Sequence, residues 1–387
     1  MMKNTPVNAV LPVGAADVLP PYADLENDVQ NTVMNLFSAF GYQRIAPSFL
    51  EFEDTLLSEA DAKLNVQTMR FPDSVSGKMM GVRADMTVQA ARIAVTRLKN
   101  EPRPLRLAYT GVVLRSACDD GFRRQVLQTG AELTGADCPA ADAEIILLAH
   151  EALKTVLKRP VCVDLTLPTL FKALCRAYGV QSEDAKEIQE FLNQKDFQAV
   201  SDRLNSSGRK VREKIGVFEK LFEACGEASK VISLLDGIDL PDEARAECRR
   251  LCAVADILKR EAPDLYVTAD VLENRGFEYH CGLSFAFFDK ESGVELARGG
   301  RYLAGGSLGA CEAATGVTLL TDAVLSLLTP KPACEKIYLP AGTPFAKAAE
   351  LIKSGKRVVF GLSADAKTEA AELNCASMCA NGKIQNL

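Results

Sequence analysis

The side chains with most chemistry to offer lie between Arg106 and Gly135, in the stretch RLAYTGVVLRSACDDGFRRQVLQTGAELTG. The pattern predicts two strands joined by a polar turn at Ala117–Gly121. Side chains alternate along a strand, so Tyr109, Gly111, Val113 and Arg115 share one face of the first. Arg124, Val126, Gln128, Gly130 and Glu132 share a face of the second, with Gln128 and Glu132 roughly 13 Å apart at ~3.3 Å per residue. Leu127, Thr129, Ala131 and Leu133 take the opposite face, which suits packing on helices. Each polar face carries a glycine, and glycine within a strand marks a close approach to the backbone. A floor bearing Arg, Gln and Glu around two glycines could hold a small zwitterion. The competing reading is a solvated sheet face that binds nothing.

The elements that must position this hairpin are legible in outline. Asp24 is a candidate cap for a helix whose apolar positions Leu25, Val29, Val33, Leu36, Phe37 and Phe40 keep helical spacing up to Gly41. Gln43–Glu51 reads as a strand broken at Pro47, and Met79–Ala84 as a short strand. The latter leads into a helix that Asp85 or Thr87 could cap. Ala141–Leu157 is a strong helix and Val161–Leu167 an alternating strand. The expected division is a core of residues 1–167 and 262–330, a helical insertion at 168–261, and a small α/β region at 335–387. Strands resume at Leu265–Leu272 and Gly282–Asp289, while Gly299–Gly300 could be a hairpin turn, with Arg298 and Arg301 around it of interest beside a carboxylate-binding pocket. A Gly-broken strand then runs into a helix, and Thr329–Cys334 reads as a linker. Beyond it one β-α-β unit fits Ile337–Leu339, Phe345–Lys353 and Val358–Gly361, with a further helix and then a disordered end expected in the tail.

Composition narrows the functional classes. The chain has 387 residues, 48% hydrophobic and 25% charged, as a soluble globular protein would. Its net charge of −6 and lack of a basic block argue against a nucleic-acid footprint. Twelve cysteines are scattered without a CxxC pair, and His150 and His280 are the only histidines. Reduced thiols in a cytoplasmic protein fit better than a zinc site, so no metal and no cofactor is expected. Neither a phosphate loop of the GxxxxGK[ST] type nor a Ser/His/Asp set occurs. No apolar run is long enough for export or membrane insertion.

Taken together, GFRRQVLQTGAELTG, ENRGFEYH, ARGGRY and AATGVTLL, with VRADMT before them, resemble the core of class II histidyl-tRNA synthetases over roughly Leu11–Leu328. The resemblance implies an α+β fold, an antiparallel sheet flanked by helices, dimerising near GYQRIAP. It places Asp85 and Thr87 at the ligand ammonium and makes Gln128 and Glu132 the histidine-reading pair. A carboxylate facing an imidazole selects a ligand that donates there. Arg275 matches the arginine beside the ligand carboxylate, and Tyr279 keeps the first aromatic of that motif. His280 replaces the second, usually tyrosine. Arg115 survives from the nucleotide half, but Ala117 stands for a glutamate, the acidic Asp119–Asp120 for a basic turn, and Leu320 and Ala323 for the glycine and arginine that clamp the nucleotide.

A retained histidine pocket beside a broken nucleotide clamp resembles one paralogous family, the regulatory subunits of short-form ATP phosphoribosyltransferase. That likeness implies a subunit without chemistry of its own that activates the catalytic chain. It would mediate feedback inhibition by L-histidine in the first step of histidine biosynthesis, as a dimer within a hetero-octamer, without tRNA. The alternative is an amino-acid-activating ligase, either free-standing or a degenerate histidyl-tRNA synthetase.

Overall fold

The structure, a computed structural model, describes residues 10–58, 62–116, 123–274, 280–306, 311–331, 335–380 and 383–387. It divides into a larger compact unit, which includes Ala23–Thr329, and a smaller one made of Pro330–Leu387 with the short stretch Pro20–Tyr22.

The larger unit is built on a nine-stranded sheet. In spatial order its strands are Gln43–Arg44, Leu105–Leu114, Gln125–Thr134, Glu312–Leu320, Glu295–Ala304, His280–Asp289, Val161–Thr166, Tyr266–Asp270 and Cys225–Glu227. The sheet is mixed: two pairs are parallel, Gln43–Arg44 with Leu105–Leu114 and Val161–Thr166 with Tyr266–Asp270, while the rest are antiparallel. This is the expected α+β architecture of a sheet flanked by helices.

Alternation gives the sheet two different faces. On one, Ala131, Leu133, Phe285, Phe287, Ala297, Val317 and Leu319 join the main apolar core. Helix Pro139–Leu157 lies against this side, with helix Asp242–Glu261 beside it. The other face carries Tyr109, Gly130, Glu132, Gly300, Tyr302 and Gly316, and helix Thr87–Thr96 covers part of it. There Ala91 and Val95 meet Tyr302, Ala304 and Ala314, and Met86 and Ala90 meet Tyr109 and Val113.

The first helix, Tyr22–Ala39, begins before Asp24, and Phe40 falls beyond its end and stays exposed. Its buried side is Val29, Val33, Met34 and Phe37, spaced to lie on one face. The Gln43–Glu51 segment splits at Pro47 into Gln43–Arg44 in the large sheet and Leu50–Phe52 in a small three-stranded one. Between Pro168 and Glu261 the chain is mainly helical, with the edge strand Cys225–Glu227 among the helices. Gly299–Gly300 is no turn; both residues lie mid-strand, paired with Gly316 and Val317 on one side and Ser284 and Phe285 on the other.

The smaller unit has four strands in the order Arg357–Phe360, Lys336–Leu339, Ser377–Ala380 and Lys383–Asn386. The first three are mutually parallel and the last is antiparallel. The β-α-β unit is present, and the tail adds helix Ala366–Glu372 plus two strands that its composition hid.

One buried ion-pair cluster secures the core side. Arg301 bridges to Asp142 at 2.7 Å, and Arg250 reaches the second Asp142 oxygen at 2.7 Å. Arg301 also donates to the Ala136 carbonyl at 3.1 Å. Removing one partner of a buried pair strands the other charge, at about 3–5 kcal/mol. Asp142→Leu, which leaves buried Arg301 without the carboxylate it pairs with, should therefore lower stability by about that much in denaturant unfolding. Arg176→Met, which breaks an exposed pair with Glu243, should cost under about 1 kcal/mol. Equal costs would show that the Arg301 cluster contributes no more than a surface pair.

Candidate functional site

Glu132 sits mid-strand and is fully buried. Its register neighbours are Leu107 on one side and Gly316 on the other. A Cβ at position 316 would stand 1.8 Å from Glu132 Oε2, so only glycine leaves room for the carboxylate. Two phenols hold it: Tyr109 donates to Oε1 and Tyr302 to Oε2, both at 2.9 Å. Burial pushes the Glu132 carboxyl up to about 8, against the pull of these two donors.

The turn before helix Thr87–Thr96 is tied to the same floor. Asp85 Oδ1 accepts the Thr87 backbone N–H at 2.6 Å, and Asp85 Oδ2 accepts Gln128 Nε2 at 2.9 Å. Gln128 Oε1 accepts the Met86 N–H at 2.8 Å, and its amide also reaches Thr318 Oγ1 at 3.3 Å. The Thr87 hydroxyl lies 3.1 Å from that of Tyr109. Gln128 is therefore spent on fastening the turn, and Asp85 on orienting Thr87.

His280 opens its strand, buried, with Nδ1 2.6 Å from Ser284 Oγ. Burial pushes its pKa down to about 3, so the ring is neutral at physiological pH. Across from it, a Cβ on Gly300 would meet the ring at 2.9 Å. Thr87, Glu132, His280, Arg298, Tyr302 and Thr318 line one pocket with Gly299, Gly300, Gly316 and Val317.

Of the residues singled out from the sequence, Asp85, Thr87, Gln128, Glu132 and His280 come together here. Arg115 does not. It lies six residues beyond Tyr109 on the same chain, roughly 20 Å away at ~3.3 Å per residue. There its N–H bonds the Arg124 carbonyl, and its charge acts on Asp322. Arg275 and Tyr279 lie outside the described residues, as do Ala117, Asp119 and Asp120. Arg298, flagged beside Gly299–Gly300, joins the pocket, as do Tyr302 and Thr318, which sequence reasoning missed. Alternation around Gly299–Gly300 was the available signal for Tyr302. Among the described residues, no group of three or more His, Cys, Asp or Glu could hold a metal ion, and no helix is long and apolar enough to cross a membrane.

This sheet and pocket define a class II synthetase-like protein. The family model described as Histidyl-tRNA synthetase matches residues 14–324. A Bacillus halodurans structure titled as an ATP phosphoribosyltransferase regulatory subunit/histidyl-tRNA synthetase superposes with a TM-score of 0.82 at 22% identity, covering 95% of this chain and 97% of that one. Histidyl-tRNA synthetase from Nostoc sp. PCC 7120 gives 0.79 at 16% identity, over 96% and 91%. At those identities the likeness is one of fold. Sequence goes further. The ATP phosphoribosyltransferase regulatory subunit of Paramagnetospirillum magneticum is 43% identical over 371 residues, 95% of each chain. That of Gluconobacter oxydans is 37% identical over 391 residues, all of both chains. The chain belongs to the family of ATP phosphoribosyltransferase regulatory subunits.

The Glu132 shift has a measurable consequence. From the ordinary value of 4.5 up to about 8, the unfolded chain ionises this group while the folded chain keeps its proton. The contribution of Glu132 to stability is therefore full below about pH 4.5 and lost as pH rises through about 8. Glu132→Gln removes that titration. Its melting temperature, relative to the unmodified protein, should shift upward steadily between about pH 5 and about pH 8. A pH-independent difference would show that Glu132 is already ionised in the folded chain.

Proposed function

We propose that this regulatory subunit senses L-histidine in the Glu132 pocket and conveys its occupancy to a short-form ATP phosphoribosyltransferase catalytic chain. The observation that carries the reading is a fully buried carboxyl group, gripped by two tyrosines, opening on a pocket with a threonine hydroxyl and a neutral imidazole. Histidine offers an ammonium and a ring N–H, and an acid at the pocket floor is the group that discriminates for such donors. Thr87 and Glu132 meet these donors. Asp85 and Gln128 hold Thr87 in place. Arg275 and Tyr279 complete the set by motif match.

Without histidine the subunit activates the catalytic chain; with histidine bound it favours an inhibited arrangement. Such coupling requires only that histidine prefer one of the two states. The working assembly is a hetero-octamer containing dimers of this chain in the cytoplasm. Exposed Phe40, Phe49, Leu50 and Phe52, around the expected dimer segment, support that association. A ligase role is disfavoured by Leu320, which ends its strand, and Ala323, inside the following helix. Neither offers charge to a triphosphate, and the acidic balance of the chain gives tRNA little to bind.

The test is reconstitution with the catalytic chain. The subunit should raise its rate, and histidine should suppress it. With Glu132→Gln, activation should persist while the inhibition curve moves to about five- to 150-fold higher histidine. Overlaid curves from an activating variant would place the sensor elsewhere. Histidine-dependent pyrophosphate–ATP exchange by the subunit alone would restore the ligase reading.

A further inference from the structure

We infer that Arg298 is a second anchor, besides the motif-matched Arg275, for the carboxylate of the amino-acid ligand in the Glu132 pocket, an assignment that rests on the histidine-sensing reading above. Along strand Glu295–Ala304, alternation sends Arg298, Gly300 and Tyr302 to the pocket face, while Arg301 turns back to Asp142. Across the register Arg298 faces Thr318, another pocket residue. One strand thus runs from the deep end, where Tyr302 grips Glu132, past Gly300, which packs on His280 and Ser284, to a guanidinium. The span from Tyr302 to Arg298 is four residues, about 13 Å along the strand, and two long side chains shorten it from either end.

Charge supports the same polarity. Among the described residues lining the pocket, Arg298 is the one cation, because His280 is held neutral by burial. Its side chain is 36% exposed, whereas Glu132 is 1% exposed, so the cation marks the mouth and the acid the floor. A zwitterion with its donors toward Glu132 presents its carboxylate to Arg298. Glu295 Oε2 pairs with Arg298 at 2.6 Å. A guanidinium carries five N–H donors in a fixed fork, a geometry that lets one arginine bond several acceptors, carboxylates foremost. Glu295 then acts as a competing anion whose removal strengthens the ligand contact.

Titration calorimetry on the full chain, with histidine and with histamine, which lacks the carboxylate, separates the possibilities. Arg298→Gln should weaken histidine about ten- to 100-fold and leave histamine unchanged. Glu295→Gln, at a partly exposed position, should tighten histidine a few-fold, again without moving histamine, and remains informative if Arg298→Gln folds poorly. Equal histidine affinity in all three proteins overturns the assignment and leaves histidine sensing intact. Parallel losses for histidine and histamine in Arg298→Gln also overturn it, since they report general damage to the pocket. Failure of the unmodified protein to bind histidine overturns the sensing reading, and this assignment with it.

Discussion

The constraint on which the site depends is the burial of one carboxyl group in the middle of a sheet. An ionised acid removed from water is costly unless hydrogen bonds satisfy it, and an acid kept neutral still needs partners for both oxygens. Tyr109 and Tyr302 supply them from the two strands that flank the Glu132–Gly316 pair. The Tyr109 hydroxyl in turn lies beside Thr87, and Thr87 is oriented by Asp85, which Gln128 ties to the sheet. A chain of short polar contacts thereby fixes the start of helix Thr87–Thr96 relative to four strands. Take away the acid and two phenols lose their common acceptor.

The opposite face answers to a different requirement. It is mainly apolar, and in its Arg301–Asp142–Arg250 cluster one buried aspartate serves two arginines while the exposed Asp137 balances the second. Arg298 and Arg301 are three residues apart on one strand, yet they serve opposite sides of the sheet. The division follows from the pleat: an odd separation changes face. The helices behind the sheet hold it rigid, so the front can carry glycines and an open pocket without losing its shape.

Part of this was legible in the sequence. The hairpin, its face assignment and the pairing of Gln128 with Glu132 on one side follow from two-residue alternation and came out as read. Alternation cannot say which distant strand lies alongside, and Tyr302, the second phenol on Glu132, is 170 residues away. Gly299–Gly300 looks like a turn because local sequence does not reveal that Phe285 and the Gly316 carbonyl crowd position 299 from both sides. Gln128 was expected to face the ligand. It also fastens Met86 and Asp85, an arrangement set by where the preceding turn folds back. Short edge strands such as Cys225–Glu227 escape notice because three residues carry too little pattern to stand out from helical neighbours.

Glutamate 132 and glycine 316 also constrain how the pocket can change by descent. With the carboxylate in place, even a methyl group at 316 collides with it at 1.8 Å. Shortening Glu132 first would vacate that space and relieve both tyrosines of their acceptor in the same step. The two positions therefore form an epistatic pair in which substitution order matters, with residue 132 having to change before 316 becomes free to vary. A lineage that keeps the acid is held to glycine on the neighbouring strand, and one that loses it can fill the gap and close the pocket for good.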